Sequence, residues 1–228
     1  MFSDTCGKKI NKYVPDYVLF DLETTGISWK TDDVIEISAV KVVEGNIVDE
    51  FSTLVNPGRR IPYQATLVNG ITDDMVADSP SFREVLPKFM EFAGDSVLVG
   101  HNIFNFDMKF LDRDARRYFG KTIGNDYVDT LHIARACLPQ LPHHKLTDLA
   151  MYYEVSTEGA HRALNDCRMN QTVFEFMGKD LCGKELPEEN IRKCPKCGEP
   201  LKVRKGIFGE FLGCSGYPAC RYTEKIRK

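Results

Sequence analysis

Acidic residues at three separate places in the chain could together bind divalent cations. Asp21 and Glu23 stand at positions i and i+2 of a predicted strand, so both side chains leave the same face, about 6.6 Å apart. Asp107 opens a predicted helix, and Asp166 ends the segment HRALND. Taken singly, each acid is explained as well by an exposed strand end or by the first turn of a helix. Taken together, they are the oxygen donors that Mg²⁺ prefers.

The chemistry that such a set supports is phosphodiester hydrolysis. Four acids on separate elements can hold two ions about 3.5–4 Å apart, the spacing that clamps the attacking and leaving oxygens. His161 precedes Asp166 by five positions. Its ordinary pKa of about 6.5 suits the removal of a proton from the attacking water.

The three motifs resemble one family of nucleases. DLETTG (21–26), HNIFNFD (101–107) and HRALND (161–166) are similar to the motifs of the DEDDh (DnaQ-like) 3′→5′ exonucleases, and most of all to those of the exonuclease unit of bacterial DNA polymerase III. The resemblance covers about residues 17–177. One departure is that Asp107 follows His101 by six positions, where the family usually has five, because the turn before the helix contains an extra residue.

The resemblance implies a role for each matching residue. Two Mg²⁺ or Mn²⁺ ions would be bound by Asp21, Glu23, Asp107 and Asp166, with His161 as general base. The terminal nucleotide would be held by main-chain groups of Thr24, Thr25 and Gly26, and the same cleft would be lined by His101 and Asn102.

A mixed α/β sheet must position these residues. An apolar run over 17–23 predicts a strand, and β-branched runs over 34–43 and 47–55, joined by Glu44-Gly-Asn46, predict a hairpin. Short strands are predicted at 97–99 and around Tyr127, and helices at 81–94, 107–118, 131–138, 146–153 and 163–177. An antiparallel start followed by alternating strands and helices favours an α/β fold, and the resemblance implies a ribonuclease H-like mixed sheet flanked by helices.

Four cysteines near the end of the chain have the spacing of a zinc site. Cys194 and Cys197 form C-x2-C, and after sixteen residues Cys214 and Cys220 form C-x5-C. Four thiolates suit one tetrahedral Zn²⁺ ion, and a segment of this size needs such a staple to fold. The other four cysteines have no such spacing and are expected to be ordinary buried thiols.

The same segment interleaves basic and aromatic residues. It resembles the C-terminal zinc ribbons of type IA DNA topoisomerases, in which ribbons bind single-stranded DNA. The basic side chains can bind successive phosphates of a strand, while the exposed aromatic rings stack on its nucleobases. The predicted DNA-binding rings are Phe211, Tyr217 and Tyr222.

Composition and charge divide the chain into two parts. The 228 residues carry a net charge of −3, but residues 191–228 have ten Lys or Arg against three Glu, which leaves about −10 on the first 190. We expect an exonuclease domain at 13–180, a linker at 181–192 and a C4 zinc ribbon at 193–228. No apolar run approaches the length of a membrane span and the start has no signal-peptide core, so a cytoplasmic protein without membrane attachment is expected.

The sequence therefore predicts a metal-dependent 3′→5′ exonuclease that releases nucleoside 5′-monophosphates from single-stranded or frayed DNA 3′ ends. A DNA polymerase or a repair complex is a candidate partner. Two alternatives stay open at this point. One is an exoribonuclease that trims RNA 3′ ends, and the other is a non-catalytic nucleic-acid-binding accessory protein of a polymerase.

Overall fold

The computed structural model describes most of the chain, which forms two compact units. The described residues are 2–157, 162–181, 183–186, 194–197, 201–206, 209–214, 216–217 and 220–225. The first unit spans Met1–Leu186 and the second Pro187–Lys228. His161, the predicted general base, lies outside the described residues.

A five-stranded mixed sheet forms the centre of the first unit, and a two-stranded ladder accompanies it. The strands are β1 (Phe2–Ser3), β2 (Tyr17–Thr24), β3 (Val34–Val43), β4 (Asn46–Leu54), β5 (Leu98–Gly100), β6 (Thr122–Ile123) and β7 (Tyr127–Asp129). The sheet has the order β4-β3-β2-β5-β7, while β1 pairs with β6. The strand β3 pairs with β4 and with β2 in antiparallel fashion, β5 pairs with β2 in parallel, and β7 pairs with β5 in parallel.

Seven helices accompany the sheet in the described part of the first unit. They are α1 (Tyr63–Asn69), α2 (Asp73–Val76), α3 (Phe82–Ala93), α4 (Asp107–Phe119), α5 (Thr130–Cys137), α6 (Leu146–Tyr152) and α7 (Ala163–Leu181). The ends of α3 show why a helix forms there. Ser81 and Glu84 form a capping box at its start, and Gly94, at a φ of 55°, ends it.

The turn between β3 and β4 follows from its two residues. Glu44 and Gly45 have φ values of 50° and 76°, the left-handed conformation that a two-residue hairpin turn requires. Gly45 adopts it without strain, and Asp16 accepts a hydrogen bond from the Glu44 amide at 2.9 Å. The predicted hairpin is thereby formed.

The sheet separates two apolar clusters, and β2 contributes to both. Its even-numbered residues, such as Val18 and Phe20, pack with α3 and α4, whereas Tyr17 and Leu19 pack with α5 and α7. Both clusters are closed to solvent, so β2 is buried on both faces, as its continuous apolar run indicates.

The second unit contains a three-stranded antiparallel sheet. Its strands are β8 (Leu201–Gly206), β9 (Gly209–Cys214) and β10 (Thr223–Lys225), in the order β10-β9-β8. Its small core consists of Cys194, Leu201 and Cys214, with Leu212, Cys220 and Tyr222 packed against them. A core with so little buried apolar area contributes too little free energy to stabilise the fold alone, so a unit of this size needs a further cross-link such as a structural metal.

The predicted mixed α/β sheet flanked by helices is confirmed, and most predicted helices and strands lie within a few residues of the observed ones. The helices α1 and α2 and the β1–β6 ladder were not predicted from the sequence, and α7 runs beyond the predicted end at residue 177 to Leu181. Among the described residues, no helix has both the length and the apolar character that crossing a membrane requires.

Candidate active site

The alternation of side chains along β2 places the carboxylates of Asp21 and Glu23 on the same face of the strand. Because successive side chains point to opposite faces of a strand, Asp21 and Glu23 continue the face that begins with Tyr17 and Leu19. That face is the one on which α7 packs. The two acids lie beyond the last apolar residue of this face and are partly buried.

The start of α7 brings a third carboxylate to the same point. Cys167, Val173 and Phe174 of α7 are buried in the cluster that Tyr17 and Leu19 share. Asp166 precedes Cys167 directly, in the first turn of the helix. Carboxylate oxygens of Asp21, Glu23 and Asp166 lie within 4.8 Å of one another.

Asp107 adds a fourth carboxylate from the beginning of α4. It is only 3% exposed, and its Oδ1 atom is buried without a hydrogen-bond partner among the residues that the structure describes. A buried carboxylate oxygen without a partner normally costs free energy, so its orphaned state points to a ligand that the protein itself does not supply. After burial, the charge of Asp107 is the largest cause of the raised pKa of Asp21, although Asp107 is not one of the three acids whose oxygens lie within 4.8 Å of one another.

Burial and mutual repulsion raise the pKa of these acids. The pKa of Glu23 rises to about 8 because of burial and the charge of Asp166, while a hydrogen bond from Asn69 opposes the rise. Burial raises the pKa of Asp107 to about 7, against hydrogen bonds from the backbone amides of Asp107 and Leu22. Burial and the charges of four neighbouring acids, Asp107, Glu23, Asp166 and Glu36, raise the pKa of Asp21 well above its ordinary value.

The donor set fits hard divalent cations. All four side chains offer only oxygen atoms, the ligands that Mg²⁺ and Mn²⁺ take, and a cation would lower the pKa of every one of them. It would also satisfy Oδ1 of Asp107. The arrangement can therefore hold metal ions at the end of β2, between α4 and α7.

Two residues near this site were missed by the sequence analysis. Glu36 of β3 lies opposite Glu23 in the strand register, is 3% exposed, and forms an ion pair of 2.8 Å with Arg162. Asn69, at the end of α1, hydrogen-bonds to the Glu23 carboxylate. The signal for Glu36 was a charged residue inside the apolar run Val34–Val43, whereas nothing in the sequence pairs Asn69 with Glu23.

The segment Thr24-Thr25-Gly26, predicted to hold the terminal nucleotide, turns out of β2 directly after Glu23. The Thr24 hydroxyl donates to Gly26 O at 2.7 Å, and the Thr25 amide donates to Asp33 O at 2.8 Å. Thr25 Oγ1 accepts from Arg59 at 3.1 Å. A Cβ atom on Gly26 would lie 2.5 Å from a carboxyl oxygen of Asp32, so a larger residue there would have to displace that carboxyl. The segment therefore has a fixed shape beside the acids.

His101 and Asn102, also predicted to line the cleft, lie in the turns between β5 and α4. His101 is engaged within the fold through both ring nitrogens, at 3.0 Å from Thr130 Oγ1 and 2.9 Å from the His144 carbonyl. Burial lowers its pKa to about 4, so the ring is neutral. These contacts favour a structural role for His101 over contact with a nucleotide.

Asn102 occupies the left-handed conformation, with a φ of 61°. The backbone amide of Asn102 donates to Asp129 Oδ1 at 3.0 Å. The Asp129 side chain also caps α5 by accepting a hydrogen bond from the backbone amide of Leu131. Asparagine tolerates this conformation better than most residues do. The longer turn between His101 and Asp107 is accommodated in this way, and Asp107 begins α4 as predicted.

The four cysteines of the second unit form the predicted cluster. The Sγ atoms of Cys194 and Cys220 are 3.7 Å apart, those of Cys197 and Cys214 are 3.4 Å apart, and all four lie within 4.8 Å of one another. A tetrahedral site with Zn–S bonds of about 2.3 Å places its sulfur atoms roughly 3.8 Å apart. The cluster thus has the size and chemistry of a structural zinc site.

The three rings predicted to bind DNA lie on one cavity of the second unit. A cavity of about 230 Å³ is lined by Phe211, Tyr217 and Tyr222, together with Arg204 and Arg221. Tyr217 is 61% exposed. Rings and guanidinium groups are thereby brought together at one surface.

Comparison with protein families gives two matches, one in each unit. Residues 18–174 match the family model RNase_T, described as an exonuclease. Residues 191–228 match a model described as the topoisomerase DNA-binding C4 zinc finger. The first match contains all five predicted catalytic residues, and the second contains all four clustered cysteines.

Curated relatives include replication proteins of bacteria. The chain is 45% identical over 166 residues to the PolC-type DNA polymerase III of Clostridium perfringens, which is 73% of this chain but 11% of that protein. It is 39% identical over 158 residues to the DNA polymerase III subunit epsilon of Aquifex aeolicus, which is 69% of this chain and 78% of that protein. The chain therefore spans only about a tenth of the PolC-type relatives.

Solved structures with the same fold include two exonucleases. Exonuclease X in complex with 5′ overhanging duplex DNA is 26% identical, with a TM-score of 0.62, over 74% of this chain and 95% of that chain. Escherichia coli exonuclease I in complex with a dT13 oligonucleotide is 17% identical, with a TM-score of 0.65, over 91% of this chain and 54% of that chain. The ribonuclease H-like exonuclease fold predicted from the sequence is confirmed by these likenesses.

Proposed function

Because the chain belongs to the exonuclease family RNase_T, we propose that it is a metal-dependent 3′→5′ exonuclease acting on DNA. The observation that carries the proposal is the convergence of Asp21, Glu23 and Asp166 within 4.8 Å, with Asp107 buried beside them. The reaction hydrolyses the last phosphodiester bond of a strand. It releases a nucleoside 5′-monophosphate and leaves a new 3′-hydroxyl on the shortened strand.

The acid cluster is the metal site of this reaction. Asp21, Glu23, Asp107 and Asp166 hold two divalent ions, and Mg²⁺ or Mn²⁺ suits four oxygen donors. When bound, these ions supply Lewis acidity to the scissile phosphate and offset charge on the attacking and leaving oxygens. The raised pKa of Glu23 and Asp107 fits a site that is completed by cations.

His161 is the general base in this proposal. It stands directly before Arg162, whose carbonyl accepts from the Asp166 amide at 3.0 Å in the first turn of α7. The side chain takes the proton of the attacking water, a step for which an imidazole near neutral pKa is suited. Its place in the HRALND motif and the match of residues 18–174 to the family support this role.

The turn after β2 and the cleft beside it hold the substrate. Thr24, Thr25 and Gly26 form a fixed turn next to Glu23, so main-chain groups there are preorganised to contact the terminal nucleotide. Asn102 shares the loop that leads to Asp107. His101 is assigned to support of that loop, since both of its ring nitrogens are engaged inside the fold.

The second unit captures DNA and is stapled by one structural zinc ion. Cys194, Cys197, Cys214 and Cys220 bind the metal, and Phe211, Tyr217 and Tyr222 offer rings to nucleobases. The first part of the chain is strongly acidic and repels DNA at long range, whereas residues 191–228 carry about +7. The basic unit therefore offsets the repulsion.

The substrate is a single-stranded or frayed DNA 3′ end, and the partner is a DNA polymerase or a repair complex. The DNA polymerase III relatives and the DNA held by exonuclease X support this choice. A cytoplasmic location stays a prediction. RNA trimming and a non-catalytic accessory role are the alternatives, but an accessory protein has no need of a complete set of four acids.

The test is degradation of a DNA oligonucleotide labelled at its 5′ end, with a matched RNA oligonucleotide alongside. With Mg²⁺ or Mn²⁺, we expect a ladder of products shortened from the 3′ end, release of 5′-monophosphates, and no products once a chelator is present. Faster cleavage of the RNA would favour the exoribonuclease. Intact DNA and RNA under all metal conditions would overturn the proposal in favour of the accessory role.

A further inference from the structure

Glu36 and Arg162 form a link between the central sheet and the start of α7. Arg162 Nη2 donates to Glu36 Oε1 at 2.8 Å, and its Nε donates to Oε2 at 3.3 Å. The amide of Ala163, the first residue of α7, donates to the same Oε2 at 3.2 Å. Glu36 is 3% exposed, so three hydrogen bonds hold a buried carboxylate at a helix N-terminus.

This link lies beside the acid cluster. Glu36 is opposite Glu23 in the β2–β3 register, and the two side chains share one face of the sheet. Like charges directly opposite one another on neighbouring strands are destabilising, so the negative charge of Glu36 needs a positively charged partner. Arg162 provides a positive charge 2.8 Å from the Glu36 carboxylate, and its hydrogen bond to Glu36, with the charges of Glu36 and Glu23, raises the pKa of Arg162.

The first turn of α7 passes the geometry on to the cluster. The backbone amide of Asp166 donates to the Arg162 carbonyl at 3.0 Å. Glu36 therefore holds the same helical turn to which Asp166 belongs. Asp166 must keep its oxygen within 4.8 Å of Asp21 and Glu23 to share a cation with them. A shift of about 1 Å at such a site is enough to impair catalysis strongly.

We propose that Glu36 and Arg162 are positioning residues that set the start of α7, and thereby Asp166, against the acids of β2. The inference rests on the exonuclease function proposed above. Neither side chain needs to touch the substrate or the metal ions in this role. The pair acts through the helix start, in the way that outer partners orient metal ligands.

A second ion pair on the same helix provides a matched control. Arg168, six residues further along α7, forms a bidentate pair with Glu50 of β4, at 2.6 and 2.8 Å. It also joins α7 to the sheet, but both partners are substantially exposed and neither anchors the helix start. R168M and E50Q therefore remove an interaction of the same kind without disturbing the first turn.

The experiment compares E36A, E36Q and R162M with these controls in the whole 228-residue chain. Turnover of a single-stranded DNA oligonucleotide is measured at a temperature well below each unfolding midpoint, which the fluorescence of Trp29 reports. We expect kcat to fall about 10–100-fold in E36A and R162M, with KM changed less than about twofold. The fall in kcat should be smaller for E36Q, because its side-chain amide oxygen can still accept a hydrogen bond from Ala163 N. The controls should stay within about twofold of the parent protein.

Titration with Mn²⁺ separates this inference from the proposed function. We expect weaker Mn²⁺ binding in E36A and R162M than in R168M and E50Q, whether or not the parent protein degrades DNA. If E36A does not fold, E36Q and R162K take its place. Mn²⁺ affinity and kcat in the Glu36 and Arg162 variants equal to those of the controls would overturn the positioning role. An inactive parent protein with the expected Mn²⁺ differences would overturn only the exonuclease activity.

Discussion

Glu23 on β2 and Asp166 at the start of α7 hold carboxylate oxygens within 4.8 Å of each other. Burial and the charge of Asp166 raise the pKa of Glu23 to about 8. Ionising both carboxyl groups is therefore unfavourable in the metal-free protein, whereas a bound cation would favour the ionised form of both. The free energy of folding and the reaction are therefore coupled through this pair.

Replacing Asp166 with Asn should abolish the reaction and stabilise the metal-free protein. The amide removes one of the clustered charges but is a poorer ligand for a hard cation. We expect exonuclease activity to fall at least about a hundredfold. The thermal midpoint without Mg²⁺ should rise by about 2–4 °C for each kcal/mol gained.

Asp78→Asn is the control for this substitution, because Asp78 is exposed on the surface of the first unit. It should leave both turnover and melting temperature unchanged. An Asp166→Asn protein that degrades DNA at the parent rate would show that Asp166 is not a metal ligand.

The metal-free protein should become less stable as the pH rises from about 5 to 8. The pKa values of Glu23 and Asp107 are about 8 and about 7 in the folded protein, whereas unfolded Glu and Asp ionise near pH 4. Between these values the folded state holds more protons than the unfolded state, so the free energy of unfolding falls with pH. Mg²⁺ or Mn²⁺ should restore the lost stability, and more at pH 8 than at pH 5.5.

Fluorescence of Trp29 measures this effect in the first unit alone, because the chain has only one tryptophan. Thermal melts are recorded at several pH values with and without added Mg²⁺. A midpoint that rises with pH in the absence of divalent cations would contradict the raised pKa values.

Replacing His161 with Asn should slow the reaction without weakening metal binding. Loss of a general base costs about 10²–10⁴-fold in rate, and the four acids are untouched. The decline in kcat on the acidic side of the pH profile should also disappear, since it reports protonation of the imidazole. The exposed residue His143 provides the control His143→Asn. Equal pH profiles for the His161 variant and the parent protein would exclude the general-base role.

Replacing Cys214 with Ser should release zinc and weaken capture of long DNA. Cys214 Sγ lies 3.4 Å from that of Cys197, and its loss leaves only three thiolates. The zinc content should fall from one ion per chain to none, and the KM for long single-stranded DNA should rise at low salt. Cys6→Ser should retain the zinc, because Cys6 belongs to the first unit; its thiol is exposed, so the expectation of a buried thiol was wrong at this position. An unchanged KM in the zinc-free variant would rule out the capture role of the ribbon.

The cavity of the second unit should contribute to DNA binding in two separable ways. Tyr217→Ala should weaken binding of single-stranded DNA by about 1–3 kcal/mol with little effect on its salt dependence. Arg221→Ala should instead reduce the slope of log K against log salt concentration by about 1. Titrations at several salt concentrations distinguish the two, and identical behaviour of both variants and the parent protein would show that the cavity is not used.

Local patterns predicted much of this structure. Alternation along β2 predicted that Asp21 and Glu23 share a face, and the helical period over residues 82–93 matches the buried residues of α3. The spacing of the cysteines predicted a cluster that the second unit indeed forms. These features depend on neighbours in the chain, so they can be read without the fold.

Short helices gave no such signal. The helix α1 has only seven residues, no side-chain cap, and just Ala65 and Asn69 buried, while Tyr63 and Leu67 are exposed. An isolated helix of this length is unstable in water, so packing rather than periodicity decides that it forms.

By itself, the sequence determined which acids could converge, which cysteines could share a metal and which strand carries the first two acids. The tertiary structure alone decided that Glu36 lies opposite Glu23, that Arg162 joins it to the start of α7, and that both ring nitrogens of His101 are engaged inside the fold. The physical reason is that strand register and helix docking are set by the packing of distant segments, which periodicity and spacing along the chain do not encode.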